Sequence, residues 1–355
     1  MPRLRAGDLR SFIQHIFEAL QVPSADAAWV AEVLVRADLV GHDGHGVICL
    51  APYAQAIRSG LVQPSAICEA VEESPSMALI NGHGGLGQVV ARHAMALAIR
   101  KAQEMKISSV GAYNLSHVGR LGDYTRLAAE QNLVGIMTVN SGGAAPLVAP
   151  FGGIAGRLGT NPLSMAFPVS RGVPFVLDMA TSVVSEGRVR IKHQTGEPLP
   201  EGWLLDHQGR PTTDSSALYL EPRGALLPLG DSAGHKGFGL AMVVEMLSGI
   251  LAHGGCAGQA TDRLPNGTFM IVIDISAFIE PSTFHAEIED LLSYVKSAPL
   301  APGVETIMYP GEPEAREQQR REREGILLSD ETWQQVTALA RELGIPLSTL
   351  ERPYS

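Results

Sequence analysis

Cysteine is scarce in this chain. Three residues in 355 (Cys49, Cys68 and Cys256) stand far apart, with no CxxC pair. Such usage supports neither a disulfide framework nor a zinc site. Positive charge is also in deficit, with 27 Lys and Arg against 37 Asp and Glu. A general nucleic-acid binder needs the reverse balance, because phosphate attracts Lys and Arg. Arg316, Arg320, Arg321 and Arg323 do cluster, but Glu314, Glu317, Glu322 and Glu324 interleave them. That pattern predicts a solvated helix face. No apolar stretch follows Arg3 and Arg5, so no secretory signal is read. The longest apolar run, residues 237–251, is cut by Glu245 and Gly249 and is too short for a bilayer. These absences lead to the expectation of a cytoplasmic protein with no membrane or nucleic-acid partner.

What is present is a composition for folding. Hydrophobic residues make up 45% and charged residues 18%, in a chain long enough for two or three domains. Leu9, Phe12, Ile13, Ile16, Phe17 and Leu20 recur at helical spacing, with Asp8 as the expected N-cap. Pro23 and Ser24 open a second helix, and Leu50, Tyr53, Ala54 and Ile57 mark a third, closed by Gly60. From about residue 75 the texture becomes α/β or α+β. Strands are expected at 77–80, 134–139, 163–169, 174–177 and 269–275, and helices at 89–102 and 123–131. Residues 192–230 read as a long polar loop, residues 237–251 as a buried helix, and two helices follow Pro310.

Five segments could carry chemistry. Gly82-His83-Gly84-Gly85-Leu86-Gly87 matches the dinucleotide fingerprint, with Glu104 near the place of a ribose-binding acid. Its parallel βαβ context looks poor, and a plain glycine-rich helix start explains it better. Gly41-His42-Asp43-Gly44-His45-Gly46 offers imidazoles for proton transfer or, as a rival reading, loop structure. Asn114-Leu115-Ser116-His117-Val118-Gly119-Arg120 places a histidine at a helix entrance. Leu158-Gly159-Thr160-Asn161-Pro162 is a loop between apolar runs. Gly234-His235-Lys236-Gly237-Phe238-Gly239 puts a lysine at a helix N-terminus, a setting for phosphate or carboxylate.

Taken together and in this order, these motifs resemble the malate/L-lactate dehydrogenase family, whose members include ureidoglycolate, sulfolactate, diketogulonate and Δ1-piperideine-2-carboxylate enzymes. The resemblance spans nearly the whole chain. Further carriers are Val148-Ala149-Pro150-Phe151-Gly152-Gly153, Asp178-Met179-Ala180-Thr181-Ser182, Pro200-Glu201-Gly202-Trp203, Pro211-Thr212-Thr213-Asp214 and Tyr309-Pro310-Gly311-Glu312.

The resemblance implies an α/β fold. A non-Rossmann mixed sheet for NAD or NADP would cover residues 75–299. A helical domain at 1–74 would be completed by helices in 300–355. It also implies a homodimer acting on a small molecule, with His45 and His117 as the proton-transfer residues and no metal. Substrate contacts would fall on Gly44, Cys49, Tyr53 and Arg120. Cofactor contacts would fall on His117, Arg120, Leu121, Asn140, Ser141, Thr160, Asp178, Met179, Ala180, His235, Lys236, Gly311 and Glu312. The glycine fingerprint would then bind nothing.

Three positions depart from the family pattern. Gly44 stands where a Ser is usual before the histidine. Arg188 occupies the place where some imine-reducing members carry an acid. Cys49 replaces the Arg that holds a substrate carboxylate, and a thiol cannot form that two-pronged bond. Arg120, three residues after His117, is expected to take over, against the plainer alternatives of facing solvent or a cofactor phosphate. The resulting expectation is hydride transfer to or from a 2-oxo/2-hydroxy acid. Its rivals are a cyclic imine reductase, a cofactor-binding homologue with altered or lost turnover, and a metal hydrolase built on His42, Asp43, His45 and His83.

Overall fold

The computed structural model describes residues 2–141, 146–259, 264 and 266–347. A short strand β1 (Arg3–Leu4) leads into helix α1 (Ala6–Ala19), which buries Leu9, Phe12, Ile13, Ile16 and Phe17 on one face. Asp8 is not its cap. Arg5 holds that position, and Asp8 sits in the first turn, where its charge favours the helix dipole. Helices α2 (Ser24–Leu39) and α3 (Leu50–Arg58) pack on α1 around one apolar core. That core is completed from the far end of the chain by Ile326, Leu328, Val336, Leu339 and Ala340.

Next come β2 (Glu69–Glu73), β3 (Met77–Gly85), α4 (Gly87–Met105), β4 (Ile107–Leu115), α5 (Gly122–Ala129), β5 (Leu133–Asn140), β6 (Leu163–Phe167) and β7 (Phe175–Met179). Helix α6 (Glu186–Thr195) is followed by β8 (Leu204–Leu205), β9 (Pro211–Thr212), α7 (Ser216–Tyr219) and β10 (Ala225–Leu226). Helix α8 (His235–Val244) widens into a π-helical stretch, Glu245–Leu251. The chain ends with β11 (Asn266–Asp274), α9 (Pro281–Lys296), α10 (Glu312–Glu324), β12 (Ile326–Leu327) and α11 (Asp330–Glu342).

Seven strands form a mixed sheet in the order β2-β3-β4-β11-β5-β6-β7, with β3 and β4 the parallel pair. Helix α4 crosses between those two strands, so the βαβ unit that looked poor in sequence is present. Strand β3 also runs on through Gly82 to Gly85, past the expected end at 80. The alanines of α4 (Ala91, Ala94, Ala98, Ala102) are buried and let the helix lie close on the sheet.

Three other expectations are corrected. Residues 192–230 are not a structureless loop: β8, β9 and β10 form a small antiparallel sheet over a core that includes Leu199, Leu204, Leu218 and Leu226. The run 237–251 is not buried all round. Leu240, Val243, Met246, Ile250 and Leu251 are exposed, because only the face with Ala241, Val244 and Ser248 meets this chain. Nor is α10 solvated on all its charged positions, since Arg321 turns inward to the 41–46 segment.

Candidate active site

The 41–49 segment is shaped by one buried acid. Past α2 the backbone turns at Gly41 (φ +81) into two 3-10 turns, Asp43–His45 and Val47–Cys49. Asp38, buried near the end of α2, accepts the Val47 N–H at 2.9 Å. A Cβ at residue 46 would lie 1.9 Å from the Asp38 carboxylate, so only glycine fits. Burial pushes the Asp38 carboxyl well above its ordinary range, and the neighbouring Asp43 charge adds to this. Arg321 pairs with Asp43 and donates to the Asp38 carbonyl at 2.7 Å. His42 meets Glu314 at 3.3 Å. His45, by contrast, has a buried Nδ1 with no partner among the described residues.

His117 is placed by the glycine fingerprint, which acts as a packing device. The Gly87 N–H donates to Ser116 Oγ at 2.9 Å. A Cβ at Gly87 would come within 2.1 Å of the Ser116 carbonyl and 2.5 Å of the His117 carbonyl. Glycine there lets α4 begin directly against the chain that carries His117. His83, meanwhile, is exposed and pairs with Glu69 at 2.8 Å.

The two imidazoles meet. Their ring centroids are 5.4 Å apart with planes 21° from parallel. Tyr53, buried on α3, lies 2.5 Å from His117 Nδ1. Desolvation lowers both histidines: His117 falls to about 4, helped by the Arg190 charge, and His45 falls well below its usual value, helped by His117 itself. Both rings are therefore neutral near pH 7. When Nδ1–H of His117 donates to the Tyr53 oxygen, the Nε2 lone pair is left free to accept a proton.

A cleft of about 800 Å³ opens over these rings. His45, His117, Gly119, Arg120 and Leu121 form one side, and Asn140, Ser141, Thr160, Asp178, Met179 and Ala180 belong to the rest of its lining. Asp178 accepts the Gly122 N–H at 2.7 Å; burial raises its carboxyl and the Arg120 charge opposes that rise. Asn140 and Asn161 are both buried and both donate to Glu245 at 3.0 Å. Glu245 was legible only as an acid interrupting an apolar run. In the fold its π-helical turn ties two cleft walls together.

Not every expected residue reaches the cleft. Cys49 is buried, its thiol donates to the Gly44 carbonyl at 3.4 Å, and burial pushes it up to about 11. It is not among the residues that line the cleft. Tyr53 reaches the site through His117. Arg120 lines the cleft but does not face bulk solvent: its buried guanidinium bonds Asp123 at 3.1 Å and lies 3.7 Å from Asp178. His235 packs edge-on against Phe151, and Lys236 is exposed on the first turn of α8; neither lines the cleft. Gly311 and Glu312 also lie outside it. Glu312 accepts from the Tyr309 N–H and from Lys296, closing the start of α10. His42, Asp43 and His45 line the same cleft, but neither they nor His83 form a group of three or more side chains placed to hold a metal ion among the described residues.

A nicotinamide dinucleotide is the cofactor that the family resemblance implies, and the cleft fits one. Its volume falls in the range of cofactor sites. Three polar atoms on its lining residues, His45 Nδ1, Arg120 Nε and Asn161 Oδ1, are buried and without a hydrogen bond among the described residues. No residue of the 82–87 fingerprint belongs to that lining.

Comparison with known proteins agrees with this geometry. A family model described as malate/L-lactate dehydrogenase matches residues 4–337. The malate dehydrogenase of Pyrococcus horikoshii is 39% identical over 345 residues, 95% of this chain and 94% of that protein. The solved sulfolactate dehydrogenase of Methanocaldococcus jannaschii superposes with a TM-score of 0.88 at 33% identity, covering 99% of this chain and all of its own. The Δ1-piperideine-2-carboxylate reductase of Pseudomonas syringae pv. tomato superposes with a TM-score of 0.80 at 27% identity, covering 96% of this chain and 100% of its own. The chain belongs to the malate/L-lactate dehydrogenase family and is an enzyme, a dehydrogenase of that family.

Proposed function

We propose that the protein is an NAD- or NADP-dependent oxidoreductase that interconverts a small 2-hydroxy acid and its 2-oxo acid. The observation that carries this reading is the stacked, neutral pair His45 and His117, held by Tyr53 at the side of a dinucleotide-sized cleft. A bound nicotinamide supplies the hydride chemistry. The chain's own residues supply the rest. In the oxidative direction a neutral imidazole takes the hydroxyl proton as the carbinol carbon loses its hydride, and in the reductive direction the imidazolium returns it. His117 suits this role, because Tyr53 fixes the ring and its depressed basicity keeps it unprotonated near neutrality. His45 stacks on one face of that ring, which otherwise opens to the cleft.

Cofactor contacts are proposed on Leu121, Asn140, Ser141, Thr160, Asp178, Met179 and Ala180, all of which line the cleft. The exposed apolar row Leu240, Val243, Met246 and Ile250 supports a homodimer, since a row of that kind on one helical face is a surface for burial against a second copy. The likeness to the piperideine carboxylate enzyme supports a second reading, reduction of a cyclic imine acid. Purified protein should be assayed by reduced-nicotinamide absorbance with both cofactors against 2-hydroxy acids, 2-oxo acids and cyclic imine carboxylates. Turnover of a 2-hydroxy or 2-oxo acid is expected. Turnover confined to cyclic imines selects the second reading, and cofactor binding without any turnover selects a homologue that has lost activity.

A further inference from the structure

The acid substrate of the proposed reaction needs a cation, and the two arginine positions the sequence suggested do not provide one. Residue 49 is a buried cysteine, and Arg120 is committed to Asp123 and Asp178. A guanidinium between two buried carboxylates has its charge compensated, although only Nη1 is hydrogen-bonded, to Asp123, and Nε has no hydrogen bond among the described residues.

Three Lys or Arg side chains line the cleft: Arg120, Arg188 and Lys192. Lys192 is paired with Glu197 at 2.9 Å. The acids among the lining residues are likewise matched, Asp43 by Arg321, Asp178 by Arg120 and Glu197 by Lys192. Arg188 is the exception: it is exposed, and its guanidinium has no hydrogen bond or ion pair among the described residues. Among the described lining residues it is the one Lys or Arg without an acidic partner.

The position of Arg188 is fixed by the other departure from the family pattern. Gly44 and Gly187 pack backbone against backbone: a Cβ on Gly44 would lie 2.9 Å from Gly187, and a Cβ on Gly187 would lie 2.7 Å from Gly44. Two glycines bring the first turn of α6 onto the turn that carries His45. Arg188 therefore leaves the helix one residue from that contact and lines the same cleft as His45 and His117. Ile191 and Lys192 of the same helix also line the cleft.

We propose that Arg188 binds the substrate carboxylate, in place of the arginine missing at position 49, and that the Gly44–Gly187 contact positions it. A carboxylate is the anion whose two oxygens match the guanidinium fork. A cofactor phosphate is the alternative source of the same charge. The proposal rests on the 2-hydroxy-acid reading above.

The test uses the full-length enzyme and two measurements. The first is KM for the best 2-hydroxy acid. The second is the Kd of oxamate and of reduced nicotinamide dinucleotide, each from quenching of tryptophan fluorescence, since Trp203 lines the cleft. Arg188→Ala should raise both the KM and the oxamate Kd roughly 10- to 100-fold, the value of a charge-assisted bond, with cofactor Kd unchanged. Arg188→Lys should recover part of the loss. Gly44→Ala should raise the same two constants about several-fold, because the added methyl displaces α6. Unchanged KM and oxamate Kd in Arg188→Ala overturn the proposal. A rise in cofactor Kd alone also overturns it and assigns the arginine to a phosphate. If wild-type protein neither binds reduced nicotinamide nor turns over any acid, the dehydrogenase reading itself fails. That result is distinct from a wild type that turns over while Arg188→Ala is silent.

Discussion

Two glycine- and histidine-rich segments look alike in sequence and do opposite work. In 82–87 the glycines serve packing: Gly87 admits the Ser116 and His117 carbonyls, while His83 stays on the surface against Glu69. In 41–46 the glycines also serve packing, on Asp38 and on Gly187, but the histidine they carry lands in the cleft. A fingerprint of glycines reports that a backbone comes close to something. Whether that neighbour is a phosphate, another strand or a second glycine depends on the rest of the fold. Here both segments converge indirectly on the same pair of rings, one by carrying His45 and the other by placing His117.

The comparison can be broken most directly at the rings. His117→Ala should lower kcat roughly 10²- to 10⁴-fold while the protein stays folded, measured by steady-state turnover and thermal melting. A change of less than about tenfold would move the proton transfer to His45. The pH profile sharpens this point. In the proposed reaction the neutral ring accepts the proton, and burial pushes His117 down to about 4 from an ordinary 6.5. Oxidation by wild-type enzyme should therefore hold its rate below pH 6.5 and decline only as the pH nears about 4. The same depression has a stability consequence. As pH falls between those two values the unfolded chain takes up the proton first, so stability present above 6.5 is progressively lost.

Next in size is the packing role of the fingerprint. Gly87→Ala should destabilise the protein by about 3 kcal/mol or more in urea titration, because its methyl meets two fixed carbonyls. Cofactor affinity per folded molecule should stay as it was. Loss of cofactor binding with stability intact would return the fingerprint to a nucleotide role. The smallest effect belongs to His83→Ala. Its exposed pair with Glu69 should cost no more than about 0.5 kcal/mol and leave turnover unchanged. A large loss of activity there would erase the distinction between the two segments.

Much of the fold was legible because its elements are amphipathic. The α1 face from Leu9 to Phe17 and the strands near 134–139 and 163–167 follow period and propensity, which are local properties. The limits were missed where a neighbour decides. Strand β3 continues to Gly85 because β4 is there to pair with it. The run 237–251 is half exposed because hydrophobicity alone does not say which surface will cover it. Arg321 reads as one more charge on a solvated helix, yet it crosses to Asp43 and Asp38.

The sequence by itself determined the class of enzyme and singled out the two histidines proposed for proton transfer, because those depend on residue identities kept in a fixed order along the chain. The tertiary structure alone decided which charges are free. The anion-binding prospect of Arg120 is offset by the charges of Asp123 and Asp178, whose side chains reach it only once α5 and β7 are in place. Arg188 gained that prospect because two glycines 143 positions apart in sequence (187 − 44) touch through their backbones. Ion pairing in a low-dielectric cleft is set by ångströms in space, and separation along the chain does not encode those distances.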